Sequence, residues 1–93
     1  MTIGLLQIDF LIPGARSLKD KRRVLKSLKQ VMHNRFNCSV AEVEFKEKWG
    51  RARLAVCVVS DDSRFVNEQL NEIARFASMR GDAELLDYSI EMM

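Results

Sequence analysis

The sequence predicts a two-layer α+β sandwich with the element order β-α-β-β-α-β, and three observations carry that expectation. Four stretches alternate with a two-residue period or run apolar for a strand's length. Two others repeat their apolar residues at about 100° per residue, as helices do. Turn-forming residues separate all six. Ninety-three residues suffice for one modest core and not for two. With 47% apolar and 30% charged residues, the composition fits a globular domain rather than a disordered or fibrous chain.

The first strand runs from Ile3 to Ile12, with Leu6, Ile8, Phe10 and Ile12 on its buried face. Pro13-Gly14 ends it, because proline cannot continue a ladder and glycine permits a sharp turn. Ser17 is then the expected N-cap of a helix, with Asp20 three residues on in capping-box fashion. From Leu18 the apolar positions Leu18, Val24, Leu25, Leu28, Val31, Met32 and Phe36 share one side. Lys19, Arg22, Arg23, Lys26, Lys29 and His33 share another. Lys21 and Arg35 fall at the borders of the core face, where their heads are expected to snorkel outward. Phe36-Asn37 closes the helix, with asparagine as a left-handed stop.

Ser39 to Lys46 alternates, with Ala41, Val43 and Phe45 on one side and Glu42, Glu44 and Lys46 on the other. Lys48 to Arg51 forms a tight connection to a valine-rich strand, Ala52 to Ser60, so the two make a hairpin. Asp61, Asp62 or Ser63 caps a second helix that reaches about Met79 and buries Phe65, Val66, Leu70, Ile73 and Ala77. After Gly81-Asp82 the last strand, Leu85 to Met92, turns Leu86, Tyr88, Ile90 and Met92 inward. Right-handed crossovers leave room for one strand inside each βαβ unit. The expected fold is therefore a ferredoxin-like split-βαβ sandwich, one domain over 1–93, with antiparallel sheet order 4-1-3-2 and both helices on one face.

Several residue strings add a resemblance. Ser17-Leu18-Lys19-Asp20-Lys21-Arg22, then Val24 to Leu28, Phe36-Asn37, Ser39 to Val43, Trp49, Arg51-Ala52, Val59-Ser60 and Leu85 to Tyr88 closely resemble the bacterial YlxP-like family. This is a domain family of unknown function with a ferredoxin-like fold. The resemblance spans nearly the whole chain, and its SLKDKR and NxSVAEV strings are specific. It implies the same fold. Family genes often lie beside those for transcription-elongation, translation-initiation and ribosome-maturation factors, which implies an RNA-related setting. Gly50 and Cys38 depart from the family pattern, where glutamine and valine are usual.

The charge is strongly uneven. Arg16 to Arg35 holds eight basic residues and a single acid, Asp20, for a net +7 inside a chain of only +2. Most charge runs are merely solvated faces. Here, however, Lys19, Lys21, Arg22 and Arg23 sit in the first helical turns, where the helix dipole disfavours each exposed cation by about 0.3–1 kcal/mol. A sequence shaped only by stability would place acids there. A helix start with free N–H groups also favours anions, and Arg16 and the Pro13-Gly14 loop lie beside it. The expected partner is structured RNA, held by its phosphates through Arg16, Lys19, Arg22, Arg23, Lys26 and Lys29. Trp49 is a candidate for stacking a base, with Arg51 beside it as a further nucleic-acid contact, although a tryptophan folded over a sheet edge or into a dimer contact is the commoner arrangement.

Other readings weigh less. Outward residues of the central strands are Leu5, Gln7, Asp9 and Leu11, then Arg53, Ala55, Cys57 and Val59. None is aromatic, and Glu42, Glu44, Asp87 and Glu91 are expected to flank them. That is unlike the RNA-stacking sheet of an RRM. The open face suits a homodimer instead, through Leu5, Leu11, Val40 and Val59, with its acids meeting Arg51 and Arg53 of a second copy. Asp9, Asp87 and Glu91 are a weak candidate for magnesium. His33 lacks a nucleophile partner and serves as a C-terminal partner of the helix dipole. The four glycines form neither a P-loop nor GxGxxG. No cofactor and no enzymatic activity are expected. Cys38 and Cys57 have no metal or redox spacing and read as two small buried hydrophobes in a reducing compartment. MTIGLLQIDF has no basic flank and contains Asp9, so it is not a signal peptide, and no apolar run is long enough for a membrane span. The expected location is the cytoplasm.

Overall fold

A computed structural model describes residues 1–93. The chain forms β1 (Thr2–Leu11), α1 (Leu18–Arg35), β2 (Ser39–Glu44), β3 (Arg51–Ser60), α2 (Ser63–Ser78) and β4 (Glu84–Met92). The sheet runs β2-β3-β1-β4 with all neighbours antiparallel, which is the predicted ferredoxin-like order. Both helices cover one face. No helix is long and apolar enough to cross a membrane.

The core lies where the two periodicities meet. Leu6, Ile8 and Phe10 of β1 and Ala52, Leu54 and Val56 of β3 point toward the helices, which return Leu25, Leu28 and Met32 from α1 and Val66, Leu70 and Ile73 from α2. Burying each such aliphatic or aromatic side chain contributes about 1.5–3 kcal/mol relative to exposure. The buried β1 position Gly4 lets α2 come closest to the sheet, since an added Cβ there would run into Val66 Cγ1 and lie 2.6 Å from Leu70 Cδ1.

The helix caps follow the chemistry of their first residues. Ser17 Oγ accepts from Asp20 N at 3.1 Å, and Asp20 Oδ2 accepts from Arg16 N at 3.1 Å. The reciprocal bond thus reaches one residue further back than in the usual capping box. Asp62 caps α2 by accepting from Arg64 N and Phe65 N. The end of α1 differs from expectation. Phe36 adopts extended backbone (φ −133°, ψ 145°), and Asn37 is not left-handed.

Four side-chain placements also differ. Lys21 does not snorkel: it is fully buried. Glu42 faces the helices, because its partner Leu54 does, so it does not join the acids of the open face. Phe65 lies at the start of α2 and stays 46% exposed, while Ala74 takes a buried place the prediction omitted. In β4 a bulge opposite Asp9 and Phe10 shifts the phase. Leu85 therefore packs on the core, Leu86 turns out, and Tyr88 and Met92 remain largely exposed at the sheet's edge.

Candidate nucleic-acid interface

The helix period places the basic residues of α1 along one flank. Taking about 100° per residue, Lys29, Arg22, His33, Lys26, Lys19 and Arg23 succeed one another around roughly 120° of its surface. Arg16, Lys19, Arg22, Arg23 and Lys26 are exposed, and Lys29 is half-buried. None of these six enters an ion pair; the paired cations of the molecule are Lys21, Arg53, Arg75 and Arg80. The flank therefore presents unneutralised charge to solvent.

Three of the six converge on a groove. Arg22, Lys26 and Lys29 line a depression of about 570 Å³ between α1 and the edge strand β2. His33, Gln30 and Asn34 continue its helical wall, and Leu25 and Val40 supply its apolar part. Glu42 contributes from the strand side. Arg23 turns the other way, into a depression with Asp20 and Asp82 beside the Pro13-Gly14 loop. The structure thus divides the predicted set between two sides of the helix.

Lys21 lies buried beneath the groove's acidic residue. Its Nζ donates to the carbonyl oxygens of Phe45 (2.8 Å), Arg51 (3.2 Å) and Lys46 (3.4 Å). It also lies 2.8 Å from Glu42 Oε2, close enough for an ion pair but outside hydrogen-bond alignment. One buried ammonium therefore ties α1 to the β2–β3 connection and neutralises the one acid that lines the groove. Phe45 is held with φ 62°, a left-handed conformation that costs a non-glycine residue about 1–2 kcal/mol. The Lys21 bond and the bond from Lys48 N to Phe45 O keep it there.

Trp49 and Arg51 lie apart from the groove. Trp49 is 54% exposed on the β2–β3 connection. Arg51 is half-buried, with its guanidinium 4.7 Å from the centroid of the Phe45 ring and its Nε buried without an acceptor. Arg53 also stacks on that ring, at 5.5 Å. An aromatic residue from the connection thus reaches the arginines of the open face, which alternation along the central strands did not reveal.

The open face holds one internal ion pair. Arg53 grips Asp9 through two hydrogen bonds, of 2.6 and 3.1 Å. That bond holds the Asp9 carboxyl below its usual range and raises the Arg53 guanidinium. Of the two arginines expected to pair across a dimer, Arg53 already has a carboxylate within the chain, whereas Arg51 stacks on Phe45 and has none. Asp9 stands opposite Asp87, whereas Glu91 stands opposite Leu5, so the three acids do not gather. No group of three or more His, Cys, Asp or Glu residues is placed to hold a metal ion. His33 is in the last turn of α1, as its role toward the dipole requires. Neither cysteine is fully buried. Cys57 is half-exposed on the open face, and partial burial raises the Cys38 thiol.

Fold and site together define a ferredoxin-like α+β domain with an unpaired basic helical flank bordering a groove. Comparison with known sequences names the family. The model of the family described as "Protein of unknown function (DUF503)" matches residues 3–90, and the chain belongs to that family. It is 31% identical over 74 residues to "Uncharacterized protein YlxP" of Bacillus subtilis (strain 168), covering 80% of each chain. The resemblance to the YlxP-like family is thereby shown.

Proposed function

We propose that the chain is a small cytoplasmic RNA-associated binding protein, linked to ribosome maturation or translation, that contacts phosphates through α1. The observation that carries this reading is the set Arg16, Lys19, Arg22, Arg23, Lys26 and Lys29, none of them paired with a carboxylate of the chain. Self-neutralised cations would have left an external polyanion without purpose. Unpaired ones at the start and along the exposed surface of α1 create a field that attracts it. The ribosomal setting is the one implied by the family resemblance. Binding is expected to weaken with salt, with a log–log slope of about −0.7 to −0.9 per phosphate contacted. The variant Arg22→Glu/Arg23→Glu/Lys26→Glu alters only exposed positions, so it folds and loses RNA in a filter-binding titration. Parental affinity in that variant would refute the reading.

A second reading is a homodimer formed through the open sheet face without nucleic acid. It is favoured by the exposure there of Val59 (58%) beside half-buried Leu5 and Leu11, but not by Val40, which pairs with inward Val56 and packs against the core. Analytical ultracentrifugation over a wide concentration range decides it, and a monomer throughout removes it.

A further inference from the structure

Resting on the RNA reading above, we infer that the groove between α1 and β2 accepts a single unpaired nucleotide, so that a structured RNA partner is recognised at an unpaired stretch rather than along its duplex. The groove's volume of about 570 Å³ lies within the roughly 300–1,000 Å³ of small-ligand sites. Its rim carries Arg22, Lys26 and Lys29, without carboxylate partners, for phosphate. Val40, with little of buried Leu25 showing beside it, gives it an apolar patch for the flat surface of a base. Gln30 and Asn34 also line it and add two amides, each with donors and acceptors. A duplex keeps its bases stacked inside and would meet only the rim. An unstacked base uses patch, amides and rim together.

Glu42 does not oppose a phosphate there, because the Lys21 ammonium stands 2.8 Å from its carboxylate. The same residue argues against a protein occupant. The free edge of β2 would be the template for an added peptide strand. It carries an inward-pointing charge at Glu42, and the ladder is broken by an irregularity between Glu42 and Glu44. Both features obstruct strand addition.

The experiment measures fluorescence anisotropy at fixed salt with a short unstructured RNA oligonucleotide, alone and annealed to its complement. The single strand is expected to bind about tenfold tighter than the duplex, a difference equivalent to about 1.4 kcal/mol. Gln30→Ala/Asn34→Ala changes two exposed positions of α1 and leaves folding intact, as a thermal melt will verify. It is expected to bring single-strand affinity down toward the duplex value and leave duplex affinity unchanged. Equal binding of both forms by the parent protein overturns the inference while the RNA reading stands. A strand preference undiminished in the double variant overturns its placement in the groove. Binding of neither form ends both readings.

Discussion

A lysine with no solvent exposure is expensive unless its charge is met, and Lys21 is met by three carbonyl oxygens and a carboxylate. Removing one partner of such a buried arrangement costs about 3–5 kcal/mol, because the other partners stay desolvated. Lys21→Met is therefore expected to lose that much in urea denaturation, although methionine fills much of the same space. Adding Glu42→Gln should recover part of the loss, since the two changes are coupled through one contact. A Lys21→Met protein as stable as the parent would show that the ammonium is not what fixes the β2–β3 connection. The helical period located Lys21 at the border of the core correctly. It could not show where the head goes, because the acceptors arise from backbone more than twenty residues away.

Elements were legible where a periodicity was unbroken and failed where a strand changed phase. β1, β3 and both helices follow their predicted faces because Leu6, Ile8, Phe10, Leu25, Leu28, Leu70 and Ile73 leave only one amphipathic solution. β4 contains adjacent leucines, Leu85 and Leu86, and either fits an inward position until the bulge against β1 selects Leu85. Glu42 was misplaced for a similar reason: Ala41 and Val43 look like the inward set, yet pairing with Ala55 puts Ala41 outside. Gly4 is a third case, since glycine within an apolar run carries no signal of what presses on it. Its φ is not positive, so alanine meets no backbone objection and the test isolates packing. Gly4→Ala is expected to destabilise by about 1–3 kcal/mol through overpacking against Val66 and Leu70. At about 4–8 °C per kcal/mol for a domain this small, the drop is plain in a thermal melt. An unchanged melting temperature would mean that α2 can withdraw from the sheet without penalty.

At the scale of the whole molecule the basic flank and the remaining surface are electrical opposites, and pH separates their contributions. Near neutrality the chain outside Arg16–Arg35 carries a net −5 that offsets the +7 within it. Acidification removes the negative side alone and leaves 15 arginines and lysines repelling one another. Two carboxylates sharpen the effect. Asp9 is held below its ordinary range by its hydrogen bonds to Arg53, and Asp82 by those to Arg80. A depressed native value means that each stabilises the fold above the unfolded carboxylate range, and that this contribution is lost as pH falls through the native value. Melting temperature is therefore expected to hold steady near neutrality and fall below about pH 4, where the unfolded aspartates begin to take up protons first. Asp9→Asn should lower the neutral plateau and flatten the acid fall, because its side chain no longer binds a proton on unfolding. A variant whose acid fall parallels the parent's would assign that fall to general charge repulsion and remove Arg53–Asp9 from it. The pair is partly exposed, so its contribution should also shrink as salt rises, whereas the buried Lys21–Glu42 contact should respond much less.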